Sequence, residues 1–192
     1  MVLSDKSIKE ELAKGRIVIE PSSEDFVQPA SVDVRLDKKF LIFRNTKRTH
    51  IDVMRPADDI VEEVVIDDDN PFMLHPGQFA LGSTLETVSI PDDLIARIEG
   101  KSSLARYGLL IHSTAGFIDP GWSGNLTLEF SNVGILAISL YNRMKIGHLS
   151  FNRLSTPADT PYGSKELGSK YQGQSGPVAS KYYLDFKSYK NT

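Results

Sequence analysis

Cysteine is missing altogether from this 192-residue chain, so disulfides and every zinc site built on thiolate ligands are excluded. That removes the P-C-x-x-C turn with which zinc-dependent nucleobase deaminases hold their metal. Histidine is scarce: His50, His75, His112 and His148 show neither H-x-H nor H-E-x-x-H spacing. Scattered histidines of this kind are more often surface or core residues than ligands, and no structural metal is expected. No apolar run approaches the length of a membrane span, and the opening "MVLSDKSIKEEL" is too polar for a secretory signal. The chain is therefore expected in the cytosol, without a membrane partner. A long basic block is also lacking and the net charge is −3, which gives no electrostatic support to DNA or RNA as a partner.

What is present is the composition of a globular domain, 40% hydrophobic and 24% charged, long enough to bury a sizeable core. Ser7 and Glu10 have capping-box spacing, Ile8 and Leu12 share a helical face, and Gly15 can end the run. A short helix is expected over roughly 4–14. "RIVIEP" follows as a strand that Pro21 stops. "SVDVRLD", Ser31 to Asp37, alternates strictly, with Val32, Val34 and Leu36 on one face and Asp33 and Arg35 on the other, as in a half-buried strand. "KFLIF", "HIDV" and "EVVI" continue the series, and from Phe72 onward strands come at close spacing between turns at Pro76-Gly77, Pro91-Asp92, Pro120-Gly121 and Asn142. Only Ser102 to Leu110 reads as a second short helix. Many strands and few helices predict a mainly β fold, a barrel or sandwich, in one domain over 1–192. From about Ser155 the chain turns polar and rich in Pro, Gly, Ser and Lys, so 155–192 is expected as a mobile tail or lid.

The stretch "GKSS", Gly100 to Ser103, looks like the end of a phosphate-binding P-loop. A Walker A loop needs glycine five residues before Gly100, where Ile95 stands. "VVIDDD", Val64 to Asp69, imitates a Walker B strand but precedes GKSS, and it reads better as a strand running into an acidic turn. A P-loop also belongs to a parallel α/β sheet. The P-loop reading fails. What survives is a strand that ends at Gly100 and passes into a short helix, with free backbone N–H groups and the charges of Lys101 and Arg106. Taken alone, an N-cap serine beside a solvated lysine explains the same residues.

The segment does not stand alone. "GKSSLAR" and the following "AGFIDPGWSG" resemble the second and third motifs of the dUTPase superfamily, and within it the match is to the dCTP deaminases. "LSDKSI", "PASVDVRL", "LHPGQFALGSTLE", "TLEFSNVG", "MKIGHLSF", "PYG" and "SKYQGQSGP" extend that resemblance, in order, over nearly the whole chain. The resemblance implies a distorted β-barrel assembled as a homotrimer, with active sites between subunits. It implies dCTP deamination without zinc, with Mg²⁺ bound only through the triphosphate, and with dUMP supplied for thymidylate synthesis. It also implies dTTP as a feedback inhibitor.

The family position of Glu129 in "TLEF" makes it the catalytic acid/base, although a glutamate on a polar strand face is otherwise unremarkable. Deamination at cytosine C4 needs a base for water and then an acid for N3 and the leaving amine, and one carboxylate can serve both in turn. Alternation puts Thr127 and Glu129 on the same strand face, with Leu128 between them. The resemblance gives Ser102 a role in holding the attacking water and Arg106 an electrostatic role. It sets Lys101 and Ser103 along the phosphate path and includes Leu104 and Ala105 in the binding run. Asp119 matches the residue that contacts the deoxyribose 3′-hydroxyl, and an Asp-Pro-Gly turn is the alternative that can hold alongside. Backbone near Ala115 would read the base. Tyr162, Lys170 and Gln174 match positions that fold over the nucleotide. His148 departs from the glutamine of many relatives.

Some family members release dUTP and others cut it to dUMP and pyrophosphate. "HSTAGFIDPG", with small Gly116 followed by Phe117, resembles the dUMP-forming members, since glycine lets the backbone approach a second water. The expected activity is therefore bifunctional, with a monofunctional dCTP deaminase or a plain dUTPase as alternatives.

Overall fold

The computed structural model of the chain describes residues 1–44 and 48–189. A helix, α1 (Asp5–Ala13), opens the fold. It is capped by Ser4, whose carbonyl accepts the N–H of Ile8 at 2.8 Å, and no side chain caps it. The expected capping box is thus not used, because Ser7 already lies inside the helix. Ile8 and Glu11 are the face it buries.

Among the described residues thirteen strands follow: β1 (Val18–Glu20), β2 (Val27–Gln28), β3 (Ser31–Arg35), β4 (Lys39–Phe43), β5 (Val61–Val65), β6 (Phe72–Leu74) and β7 (Phe79–Ser89) come first. The later ones are β8 (Leu94–Gly100), β9 (Leu109–Leu110), β10 (Phe117–Ile118), β11 (Ser123–Asn132), β12 (Ile138–Leu140) and β13 (Lys145–Arg153). One sheet runs β5-β4-β7-β11-β9, with β1 also on β7, and a second runs β10-β8-β13-β3-β2. β12 and β6 form a small pair of their own. The pairings are antiparallel, as expected where strands are joined by short turns.

Phe40, Val88, Leu128 and Phe130 of the first sheet share one core with Val34, Ala96, Leu149 and Phe151 of the second. A bridge from Leu36 to Thr84 stitches the sheets at one corner. The fold is mainly β, as predicted, but among the described residues no sheet closes on itself into a barrel. Three of the four outer strands, β2, β9 and β10, have two residues each, and the fourth is β5.

Two local expectations are corrected. Asp33 does not face water: it is only 2% exposed, because Lys101 and Lys145 both reach its carboxylate. The helix expected over Ser102–Leu110 is a single turn, α2 (Ser102–Ala105). Gly108 ends it at φ +92°, where an added Cβ would lie 2.5 Å from the amide nitrogen of Gly134. The segment expected as a tail or lid lies against β11. Gln174 donates from Nε2 to the Asn125 carbonyl at 2.7 Å, and α3 (Tyr183–Tyr189) follows it. The last residues of the expected tail, 190–192, lie outside the described residues. Among the described residues no helix is long and apolar enough to cross a membrane.

Candidate active site

β11 has the alternation its sequence predicts, with Leu126, Leu128, Phe130 and Asn132 buried and Thr127 and Glu129 on the opposite, half-buried face. A register shift between Asn125 and Thr127 bends the strand there. Thr84 and Asn125 satisfy the disturbed backbone: Leu126 N–H donates to Thr84 Oγ1 at 2.9 Å, and Asn125 Nδ2 donates to the carbonyls of Thr84 and Glu86, each at 3.1 Å. Beyond this bend Glu129 is fixed from both ends. Its N–H donates to the Ile111 carbonyl at 2.8 Å, and the Ser113 N–H donates to its Oε2 at 3.1 Å.

Glu129 opens onto a cavity of about 510 Å³. Ala115, Phe117, Asp119, Thr127, Tyr162 and Gln174 line it too, so seven of the residues expected in the site meet around one space. Leu128 does not: its side chain is fully buried in the core behind the strand. Asp119 sits in the Pro120-Gly121 turn, where its carbonyl accepts the Trp122 N–H at 3.2 Å. Asp119 thus belongs to the turn and also lines the cavity. Gly116 is buried, and its carbonyl accepts the Ile98 N–H at 2.9 Å, which pins the turn bearing Ala115 and Phe117 to β8.

The tail forms part of the wall. Gln174 Nε2 also donates to Thr127 Oγ1 at 3.1 Å, and the Val178 N–H reaches the same hydroxyl at 3.3 Å. Tyr162 packs on Trp122, ring centroids 5.4 Å apart, and its hydroxyl accepts the Tyr171 N–H at 3.2 Å. Burial raises the Tyr162 pKa, so its hydroxyl stays protonated near neutrality. Phe43, Ile51 and Phe79 supply an apolar wall that the sequence reading missed. Their signal was weak: ordinary apolar residues at strand ends or in a loop.

The cationic candidates lie elsewhere. Lys101, Ser102, Ser103, Leu104, Ala105 and Arg106 are absent from the cavity wall, and Ser102, Ser103 and Arg106 are exposed on α2 and its end. Lys101 Nζ donates to Asp33 Oδ1 at 2.6 Å. Lys170 Nζ pairs with Asp185 Oδ2 at 2.5 Å and stands 5.4 Å over the Tyr182 ring. Among the described residues no lysine or arginine lines the cavity, while two carboxylates, Asp119 and Glu129, do. Among the described residues no cluster of His, Asp or Glu is arranged to hold a metal ion.

The model of the family described as dCTP deaminase-like matches residues 2–154. The chain belongs to that family. Two dCTP deaminase-like relatives, both named dCTP deaminase, dUMP-forming, align over 186 residues, or 97% of this chain. The protein of Nocardia farcinica is 56% identical with 94% of its length covered, and that of Rhodococcus opacus is 58% identical with 98% covered. Among solved structures, the 2′-deoxycytidine 5′-triphosphate deaminase of Agrobacterium tumefaciens matches with a TM-score of 0.62 at 24% identity. The alignment covers 78% of this chain and 46% of that one, and it speaks for the fold. The dCTP deaminase-like match ends at residue 154, so the tail that closes the cavity lies beyond the family model.

Proposed function

We propose that this chain deaminates dCTP hydrolytically and then cuts the product to dUMP and pyrophosphate, acting in the cytosol on the Mg²⁺–nucleotide complex. The observation that carries the reading is Glu129, a carboxylate held by the Ser113 N–H at the wall of a cavity of nucleoside size. The name shared by the relatives at 56% and 58% identity supports both steps.

In the first step Glu129 takes a proton from water as its oxygen bonds to C4 of the cytosine, and N3 receives a proton. Having passed that proton to N3, Glu129 takes the proton of the new C4 hydroxyl and gives it to the amino group. The C4–N bond breaks, and ammonia leaves with the C4 carbonyl of uracil in place. Asp119 would accept the deoxyribose 3′-hydroxyl, and Ala115 would face the base. In the second step a water attacks the α-phosphorus and pyrophosphate departs, with Mg²⁺ on the phosphates offsetting the charge that develops. Gly116, pinned to β8, would set the turn from which Ala115 and Phe117 hold that water in the cavity.

A triphosphate cannot settle beside two carboxylates without cations, and among the described residues no lysine or arginine lines this cavity. We therefore assign the site to a homotrimer in which Lys101, Ser102, Ser103 and Arg106 of one copy complete the cavity of the next. Leu104 and Ala105 would serve through backbone, as would Leu128. Tyr162, Lys170 and Gln174 would close over the nucleotide, and dTTP would occupy the same cavity as an inhibitor.

The test is incubation with dCTP and Mg²⁺, followed by ion-exchange separation and an ammonia assay. Ammonia, dUMP and pyrophosphate in equal amounts are expected. Accumulating dUTP would reduce the activity to deamination alone, and absence of ammonia would overturn the reading. Mixing inactive Glu129→Gln and Arg106→Ala chains should restore turnover if neighbouring copies share a site. Continued inactivity of assembled mixtures would argue against sharing.

A further inference from the structure

Asp33 belongs to no part of the cavity, yet it is one of the few fully enclosed carboxylates in the molecule. It sits in the middle of β3, where the alternation of the sequence had put it on the water side. Lys101 Nζ lies 2.6 Å from Oδ1, and Lys145 Nζ lies 3.0 Å from Oδ2. Burial pushes the carboxyl pKa up, but the hydrogen bonds and charges of the two lysines outweigh it and hold the group ionised below its usual range. Three strands are joined at this carboxylate: β3 carries it, β13 brings Lys145, and Lys101 follows the last residue of β8.

Lys101 is also where α2 begins. Its carbonyl accepts the N–H groups of Leu104 at 2.9 Å and Ala105 at 3.0 Å, and the Arg106 N–H returns to Ser102 at 3.2 Å. A single turn has no stability of its own, because nucleating a helix costs more than its first hydrogen bonds return. Its direction is set by what holds its ends. A lysine left in water would hold nothing, since its long side chain samples many rotamers. An enclosed carboxylate removes that freedom. Two ammonium groups on one carboxylate also leave this face cationic, so the anchoring does not cost the region its attraction for a polyanion.

We propose that Asp33 is a positioning residue for the reaction: it anchors Lys101 and thereby aims the turn that presents Ser102 and Arg106. The inference rests on the deaminase reading given above. It assigns Lys101 a second task beyond any contact with phosphate, which is to tie the turn to the second sheet.

The experiment compares Asp33→Asn, Lys101→Met and the double variant with the wild-type chain. Ammonia release from Mg²⁺–dCTP is measured for each, with circular dichroism and size-exclusion chromatography to establish folding and assembly. Asp33→Asn is expected to keep its fold and assembly and to lose at least tenfold in kcat/KM. The double variant should fall within twofold of Lys101→Met, because both changes cut the same link. A folded Asp33→Asn chain within twofold of wild type overturns the inference, as does a double variant whose losses multiply. Should Asp33→Asn not fold, Lys101→Met decides alone. A lysine that anchors the turn lowers kcat as well as affinity, whereas one that only contacts phosphate raises KM and leaves kcat untouched. Unchanged kcat would sink the proposal. A wild-type chain that releases no ammonia would overturn the deaminase reading and this inference with it.

Discussion

The Ser113 N–H and Oε2 of Glu129 are 3.1 Å apart, so the turn leading to Ala115 and Phe117 is bonded to the carboxylate beside it. One carboxylate oxygen is thereby fixed, and the other is available to the cavity. Glu129→Gln keeps an acceptor for Ser113 and should preserve the fold. Losing the proton carrier should lower ammonia release by about 10²–10⁴-fold, the usual range for a general acid or base. Steady-state turnover alongside a melting curve checks this, and a variant with near-normal turnover would remove Glu129 from the chemistry.

Gly116 has no room for a side chain. A Cβ there would lie 3.0 Å from the Ile98 carbonyl oxygen and 3.0 Å from Cε1 of His112. The His112 ring can turn aside, but the carbonyl belongs to β8 and cannot. Gly116→Ala should therefore displace the turn, and the second step should suffer more than the first. We expect dUMP per ammonia to fall about tenfold while dUTP accumulates, since small misplacements carry costs of that order. An unchanged product ratio would separate Gly116 from bifunctionality.

Lys170 is occupied by Asp185, and a triphosphate that needs the lysine must displace that carboxylate. Asp185→Asn should make the lysine available and lower KM for dCTP by roughly threefold to tenfold, following the fraction of competent molecules. The gain should shrink at high salt as charges are screened. A raised or unchanged KM, measured at constant Mg²⁺, counts against any phosphate role for Lys170.

Glu11 governs part of the acid stability. Burial would raise its pKa, but hydrogen bonds from Arg16 at 2.6 Å and Arg153 at 2.7 Å prevail and lower it. The folded pKa lies below the unfolded value of about 4.3, so the stabilisation is complete above that pH and is lost as pH falls through the folded value. Glu11→Gln should cost on the order of 1–2 kcal/mol near pH 7, discounted for the half-exposed arginines. Its denaturant midpoint should drop less steeply than that of wild type when the pH is taken below 4. Parallel curves for the two proteins would rule Glu11 out as an acid-sensitive group.

Much of this was legible in the chain. The alternation of "LTLEF" placed Thr127 and Glu129 together on one face, and the turn residues marked the strand ends. Asp33 was misread because period-two alternation assumes that a carboxylate seeks water. Two lysines, one of them 68 residues away, supply a substitute that no local pattern announces. The length of α2 was overestimated because Gly108 acts through the close approach of Gly134, a tertiary contact. Family motifs grouped "GKSSLAR" with Glu129, but in the single chain only Glu129 lines the cavity, because adjacency in a motif set does not encode which residues meet in space. The apolar wall of Phe43, Ile51 and Phe79 was invisible for a plainer reason: apolar residues at strand ends look alike whether they face solvent or substrate.

Trp122, the chain's only tryptophan, rests against Tyr162 at the join between the β framework and the folded-back tail. An indole in that position is a built-in optical probe. Its emission is sensitive to the packing of Tyr162 with no label attached, and selective excitation leaves the seven tyrosines nearly dark. Stopped-flow fluorescence on mixing with nucleotide can therefore follow the contact between tail and framework in the unmodified protein.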